Sequence, residues 1–138
     1  MSAKDIYHAP VRNALIKDGW AITHDPYKLP VGFDRVYVDL GAERPIAAEK
    51  DGQKIAVEIK SFTGPSDIYD LERALGQFVF YRSLMKRQDP ERSLFLAVSE
   101  TVYDSTFRRP IAEIPVADIG VPILVFDPDR EEVTRWIP

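Results

Sequence analysis

The chain has 138 residues, 45% of them hydrophobic and 29% charged, with 18 basic and 22 acidic side chains for a net charge of −4. That is the make-up of a single globular domain, residues 1–138, able to bury a sizeable core; it excludes a disordered tail, a collagen-like repeat and, with no apolar run near ~18 residues, a membrane-spanning helix. The absence of cysteine, with His8 and His24 the only histidines, excludes disulfides, thiolate zinc sites, cysteine nucleophiles and multi-histidine metal cages.

Met1–Asp5 carries no apolar stretch, so no signal peptide is expected and the expected location is the cytoplasm. Ser2-x-x-Asp5 reads as a helix start, and Tyr7, Val11, Ala14 and Leu15 follow helical spacing to the stop at Asp18-Gly19. Pro10 inside that pattern predicts a kink or a restart. Trp20–Thr23 is a short strand closed by Asp25-Pro26, and Tyr27–Phe33, with Pro30 and Gly32, reads as a connection. Three strand-like runs follow: Arg35–Leu40, Pro45–Lys50 and Gln53–Lys60, the last two joined by Asp51-Gly52, a strong hairpin signal. Ser66 or Asp67 caps a helix to about Lys86, with Ile68, Leu71, Leu75, Phe78, Val79 and Met85 as its buried stripe and Ala74 and Gly76 allowing close approach to a sheet. Leu94–Val98 is apolar enough for a central strand covered on both faces. A shorter helical stretch between Glu100 and Ile119, interrupted by Pro110 and Pro115, precedes strands at Val121–Phe126 and Glu132–Ile137, with Asp127-Pro128-Asp129 as the turn between them. The order predicts an α/β fold, a mixed sheet flanked by helices.

Glu58-Ile59-Lys60 is the most informative triplet. An acid and a lysine two apart on a strand share a face, where the carboxylate can hold a hard cation such as Mg²⁺ and the ammonium can orient a water. A chain of this composition contains about one such acid-x-Lys triplet by chance, and this chain has one, so an exposed charged strand face would read the same. A two-residue Asp51-Gly52 turn pairs Lys50 with Gln53, which sets Glu58 opposite Pro45 and Lys60 opposite Glu43. A second acid for the site then comes from Glu43 or from Asp39, ranked together. Asp39 needs a bulge or bend at Gly41-Ala42 to reach it. Glu49 ranks third, because it pairs more readily with Lys54 across the hairpin.

The setting of this triplet, on the second arm of a hairpin and followed by a loop and an amphipathic helix, resembles the core of the PD-(D/E)xK nuclease superfamily. The helix, three strands, helix, strand order of residues 2–98 is that of its restriction-endonuclease-like core. Gln77-x-x-x-Tyr81 is similar to a motif of the RecB-like branch that lies beside the active site. The resemblance implies a metal-dependent endodeoxyribonuclease. Glu58, Asp39 or Glu43, and the Ile59 carbonyl would bind Mg²⁺ or Mn²⁺, Lys60 would steer the attacking water, and Gln77 and Tyr81 would position the substrate backbone.

A narrower resemblance runs from end to end. Asn13–Trp20, Thr23–Pro26, Asp39–Arg44, Ala47–Lys50, Ile55–Phe62, Ala74–Gln77 and Trp136–Pro138 together resemble the XisH-like fdxN-element excision controlling factors of cyanobacteria. This implies a role in programmed excision of a DNA element, with DNA as substrate, an XisI-type partner and, indirectly, a site-specific recombinase. The alternative is a non-cleaving regulatory or binding module on a nuclease fold, a reading the net charge of −4 favours. A homodimer would suit a nuclease addressing two strands, by analogy.

Other residues carry less. Arg82, Lys86, Arg87 and Arg92, interleaved with Asp89 and Glu91, read better as a solvated helix end than as a phosphate-contacting edge. His8 and His24 sit on different elements and do not suggest a shared metal. Trp20 and Trp136 read as packing residues rather than base-stacking platforms.

Overall fold

The apolar run Leu94–Val98 lies at the centre of the sheet, between two parallel neighbours. The computed structural model describes residues 5–44 and 52–138. In chain order the elements are α1 (His8–Lys17), β1 (Ala21–His24), β2 (Tyr27–Val31), β3 (Asp34–Val38), β4 (Leu40–Arg44), β5 (Gln53–Ile59), α2 (Asp67–Gln88) and β6 (Arg92–Ser99). A helical turn, α3 (Glu100–Val102), runs into a π-helical segment at Tyr103–Phe107, followed by α4 (Pro110–Ile119), β7 (Ile123–Asp127) and β8 (Glu132–Ile137). Six strands form a mixed sheet in the order β1-β4-β5-β6-β7-β8, and β2 and β3 form a separate antiparallel ribbon. The expected mixed sheet flanked by helices is the architecture found.

Strand alternation divides the core. Ala56, Leu94, Leu96, Val98, Ile123 and Val125 face α2, where Leu71, Ala74, Leu75, Phe78 and Met85 meet them. Ile55, Val57, Ile59, Phe95, Ala97, Leu124 and Phe126 face the other way, onto Val11 and Leu15 of α1 and Trp20. Trp136 joins this second layer, 5.7 Å from Trp20 and 5.1 Å from Phe95 between ring centroids, so both tryptophans pack as expected. Phe78 is wholly buried at the centre of the α2 face. Phe78→Ala is expected to cost about 3–5 kcal/mol of folding free energy, read from urea denaturation.

Several boundaries differ from the sequence expectation. Helix α1 begins at His8, so Pro10 falls in its first turn, where its missing N–H has no intrahelical partner to lose, and no kink is needed. The Ser2 cap lies outside the described residues. Tyr27–Val31 is a strand rather than a connection: Pro30 is tolerated because the ribbon has only two strands. Arg35–Leu40 is divided, with β3 ending at Val38, β4 beginning at Leu40, and Asp39 between them. On α2, Ser66 Oγ accepts from Tyr69 N at 3.2 Å, the expected cap, but Ile68 and Val79 are exposed, and Gly76 faces open space rather than the sheet.

The largest difference is the hairpin register. β4 pairs with β5 as Leu40↔Val57, Gly41↔Ala56, Ala42↔Ile55, Glu43↔Lys54 and Arg44↔Gln53. Among the described residues the ladder runs to Arg44 and Gln53 with paired numbers summing to 97 rather than 103, so the partners expected for Glu58 and Lys60 are not the ones this register gives. The expected strand Pro45–Lys50, with Glu49 and its pairing to Lys54, lies outside the described residues.

Candidate functional site

Continuing the β4–β5 pairing by one rung places Asp39 directly opposite Glu58, with both side chains on the face that meets α2. No bulge between β4 and β5 is needed to bring it there, contrary to the sequence expectation; the irregularity nearby lies between β1 and β4, at Ile22/His24. Gly41, two residues beyond Asp39 on the same face, sits tightly against the His24 side chain. A Cβ there would come within 3.0 Å of His24 Cβ and Nδ1.

The two carboxyl groups are locked into the backbone at the end of the ladder. Asp39 Oδ2 accepts from Ile59 N at 2.7 Å, and Glu58 Oε1 accepts from Asp39 N at 3.3 Å. Each acid thus satisfies an amide on the opposite strand. Glu58 is buried, at 5% exposure. Its only ion pair among the described residues is Lys60 Nζ, 3.4 Å from Oε2. Burial pushes the Glu58 carboxyl up to about 8, and the adjacent Asp39 charge adds to the shift. Burial also raises Asp39, against the opposing effect of the bond from Ile59 N. Two acids this close titrate as a unit and hold one proton readily.

Helix α2 covers the pair. The Tyr81 phenol is pushed up to about 12 by burial and then by the charges of Glu58 and Asp39, which keeps it protonated and able to donate toward them. One turn earlier, Gln77 carries a buried Oε1 with no hydrogen-bond partner, an acceptor left free on the same helix face. Beyond Lys60, a cleft of about 170 Å³ is lined by Lys60, Ser61, Thr63, Asp70 and Arg73. Sequence reasoning did not find Arg73 or the two hydroxyls, because only the loop geometry brings them beside Lys60.

Asp39, Glu58, Lys60 and Tyr81 therefore come together, with Gln77 a turn away. Glu43 does not join them. It lies opposite Lys54, four residues and roughly 13 Å along the strand from Asp39. The oxygen donors that could face a hard cation are the unused lone pairs of Asp39 and Glu58 and the Ile59 carbonyl. That carbonyl points to the same strand edge as Ile59 N, toward Asp39. A buried and a half-buried acid with one partly exposed lysine for counter-charge suit such a cation. Among the described residues, no group of three or more His, Cys, Asp or Glu side chains forms a metal-binding cluster.

The basic residues near the end of α2 divide in a way the sequence did not anticipate. Arg82 donates to the Ile119 and Gly120 carbonyls at 3.0 and 3.2 Å. Arg92 is buried against Asp89 at 2.7 Å and the Ile55 carbonyl at 2.8 Å. Neither is part of a solvated end or of a phosphate edge, and only Lys86 and Arg87 remain exposed. His8 Nε2 lies 2.8 Å from Asp25 Oδ1, and His24 stands edge-on to Tyr27 with ring centroids 5.0 Å apart. No described helix is long and apolar enough to cross a membrane.

The family model described as XisH protein matches residues 1–134. Among solved structures, the chain is similar to an XisH family protein from Nostoc punctiforme, at 40% identity and a TM-score of 0.86, covering 97% of this chain and 100% of that one. It is equally similar in shape to a fdxN element excision controlling factor protein from Anabaena variabilis, with 38% identity, a TM-score of 0.86, and 98% and 100% coverage. No curated protein matches the chain. A likeness that holds over the whole length in both sequence and fold means that this chain belongs to the XisH family.

Proposed function

We propose that this XisH-family chain controls programmed excision of a DNA element and does so as a metal-dependent endodeoxyribonuclease. The observation that carries the reading is the placement of Asp39 opposite Glu58, with Lys60 beside Glu58 and α2 closing over them. This is the acid, acid-x-Lys constellation of the PD-(D/E)xK nucleases. Asp39, Glu58 and the Ile59 carbonyl would hold Mg²⁺ or Mn²⁺. When bound, the cation supplies counter-charge for the paired acids and for the charge that develops on a scissile phosphate.

The chain's own groups do the rest. Lys60 Nζ, fixed by Glu58 Oε2, holds and orients the attacking water. The Tyr81 hydroxyl, kept protonated, donates to a phosphate oxygen of the substrate backbone, and the side-chain amide N–H of Gln77, one turn earlier, donates beside it. Burial of Glu58 excludes bulk water from one side of the centre. An XisI-type protein is the proposed partner, with a recombinase acting alongside, and a homodimer would address both strands.

Supercoiled and branched DNA incubated with Mg²⁺ or Mn²⁺, with and without an XisI-type protein, tests this. Cutting by the wild type that falls at least ~10³-fold in both Glu58→Gln and Lys60→Ala is the expected result. Cutting unchanged by both substitutions, or none under any condition, would overturn the nuclease reading. The second reading, a non-cleaving module on a nuclease fold, is favoured by a described ligand set of only two carboxylates and by the net charge of −4. It predicts the second of those outcomes.

A further inference from the structure

We propose that the β2–β3 ribbon is a DNA-docking arm that enters the duplex groove beside the reaction centre. The inference rests on the DNA-directed reading above and adds where the duplex is held. In the ribbon register Lys28 pairs with Tyr37 and Pro30 with Arg35. Alternation sends Tyr27, Leu29, Val36 and Val38 onto the core and leaves Lys28, Pro30, Arg35 and Tyr37 as the outward face. Neither Lys28 nor Arg35 makes an ion pair among the described residues. In a chain of net charge −4, two unpaired cations flanking an exposed tyrosine are a local surface of opposite sign, complementary to phosphate.

The tip of the ribbon adds an exposed aromatic, with Asp34 as the one acid beside it. Gly32, at φ +59°, allows the tight turn, and Phe33 beside it is fully exposed at 107%. A large aromatic side chain held wholly in water at a hairpin tip packs on nothing among the described residues, but it can stack on or wedge against bases.

The ribbon is also anchored and aimed. Gln88 Nε2, at the end of α2, donates to the Pro30 carbonyl at 2.7 Å, and Tyr27 Oη donates to Asp89 Oδ2 at 2.9 Å. β3 runs straight into Asp39, which puts Arg35 roughly 13 Å from the first acid. Two strands about 4.8 Å apart fit a major groove about 12 Å wide. A duplex with a phosphate at Asp39 and Glu58 thus passes along the Lys28–Arg35 face. A protein partner at the same surface is the competing occupant.

Anisotropy of a labelled duplex, titrated with Glu58→Gln protein at several salt concentrations, separates these cases without cleavage. Replacing Lys28 and Arg35 together by alanine should reduce the log–log salt slope by about 2 and weaken binding at least tenfold. Phe33→Ala should weaken binding roughly fivefold or more with the slope unchanged. Lys28→Arg with Arg35→Lys should restore both quantities, and because all three side chains are exposed, melting temperatures should not move. DNA affinity and slope unchanged in the alanine variants overturn the arm, as does loss of protein-partner binding with DNA binding intact. DNA binding through the ribbon by a wild type that never cuts overturns the nuclease reading and leaves the arm standing. No DNA binding by the wild type overturns both.

Discussion

Glu58→Gln is expected to give a protein that is more stable than the wild type at pH 8 and that no longer cuts DNA. The Glu58 carboxyl is pushed up to about 8 in the fold, from an ordinary value of 4.5. Below pH 4.5 it is protonated in both the folded and unfolded chain and has no effect on the balance. Between 4.5 and about 8 the unfolded chain releases the proton while the folded chain keeps it, so stability falls as pH rises. At 1.36 kcal/mol per pH unit, the ceiling on that loss is ~5 kcal/mol, shared with Asp39 because the two acids titrate together. Glutamine keeps the shape and an acceptor for Asp39 N but has no proton to lose. Urea denaturation at pH 5 and pH 8 should show a wild type that loses several kcal/mol and a variant that loses far less. A wild type as stable at pH 8 as at pH 5 would contradict the burial of this charge. Mg²⁺ at 100 times its dissociation constant should return ~2.7 kcal/mol to the wild type at pH 8 and nothing to Glu58→Gln.

The second large effect separates the two acids that the sequence ranked together. Asp39→Asn should lower cleavage at least ~10³-fold, about 4 kcal/mol of transition-state stabilisation, while leaving the fold intact, since the amide oxygen still accepts from Ile59 N. Asp39→Ala should lose the same activity and a further ~1–3 kcal/mol of stability, because a buried amide is left without a partner. Glu43→Gln, roughly 13 Å away beside Lys54, should cut within about twofold of the wild type. Initial cleavage rates with denaturation curves on the same preparations decide it. A Glu43→Gln protein as dead as Asp39→Asn would contradict the register.

The sheet, α2, and the Glu58-Ile59-Lys60 strand were all legible in the sequence, because each has a periodicity or a cap that specifies it. The β4–β5 register was not, for an identifiable reason. An Asp51-Gly52 turn implies paired numbers summing to 103, whereas the strands pair with a sum of 97. A shift of six is even, so every side chain stays on its own face, and hydrophobic alternation cannot tell the two apart. Leu40 and Ala42 fill the α1-side layer opposite Val57 and Ile55, where the other register would have used Ile46 and Ala48. What the alternation leaves open, polar pairing helps decide: Asp39 reaches Ile59 N only in the register found. Of the ribbon, β3 was legible within Arg35–Leu40, but β2 was missed because Pro30 and Gly32 are loop residues by composition. A two-stranded hairpin accommodates both, one at an edge and one at the turn.

Calorimetric titration of Mn²⁺ into the wild type at pH 7, in buffers of different ionisation enthalpy, decides whether Asp39 and Glu58 form the proposed cation-binding pair. Binding that releases up to about one proton per site, from the acid pair that burial keeps protonated, and that disappears in Asp39→Asn and in Glu58→Gln, is the result expected. No binding at millimolar Mn²⁺, or binding that survives both substitutions, would contradict it.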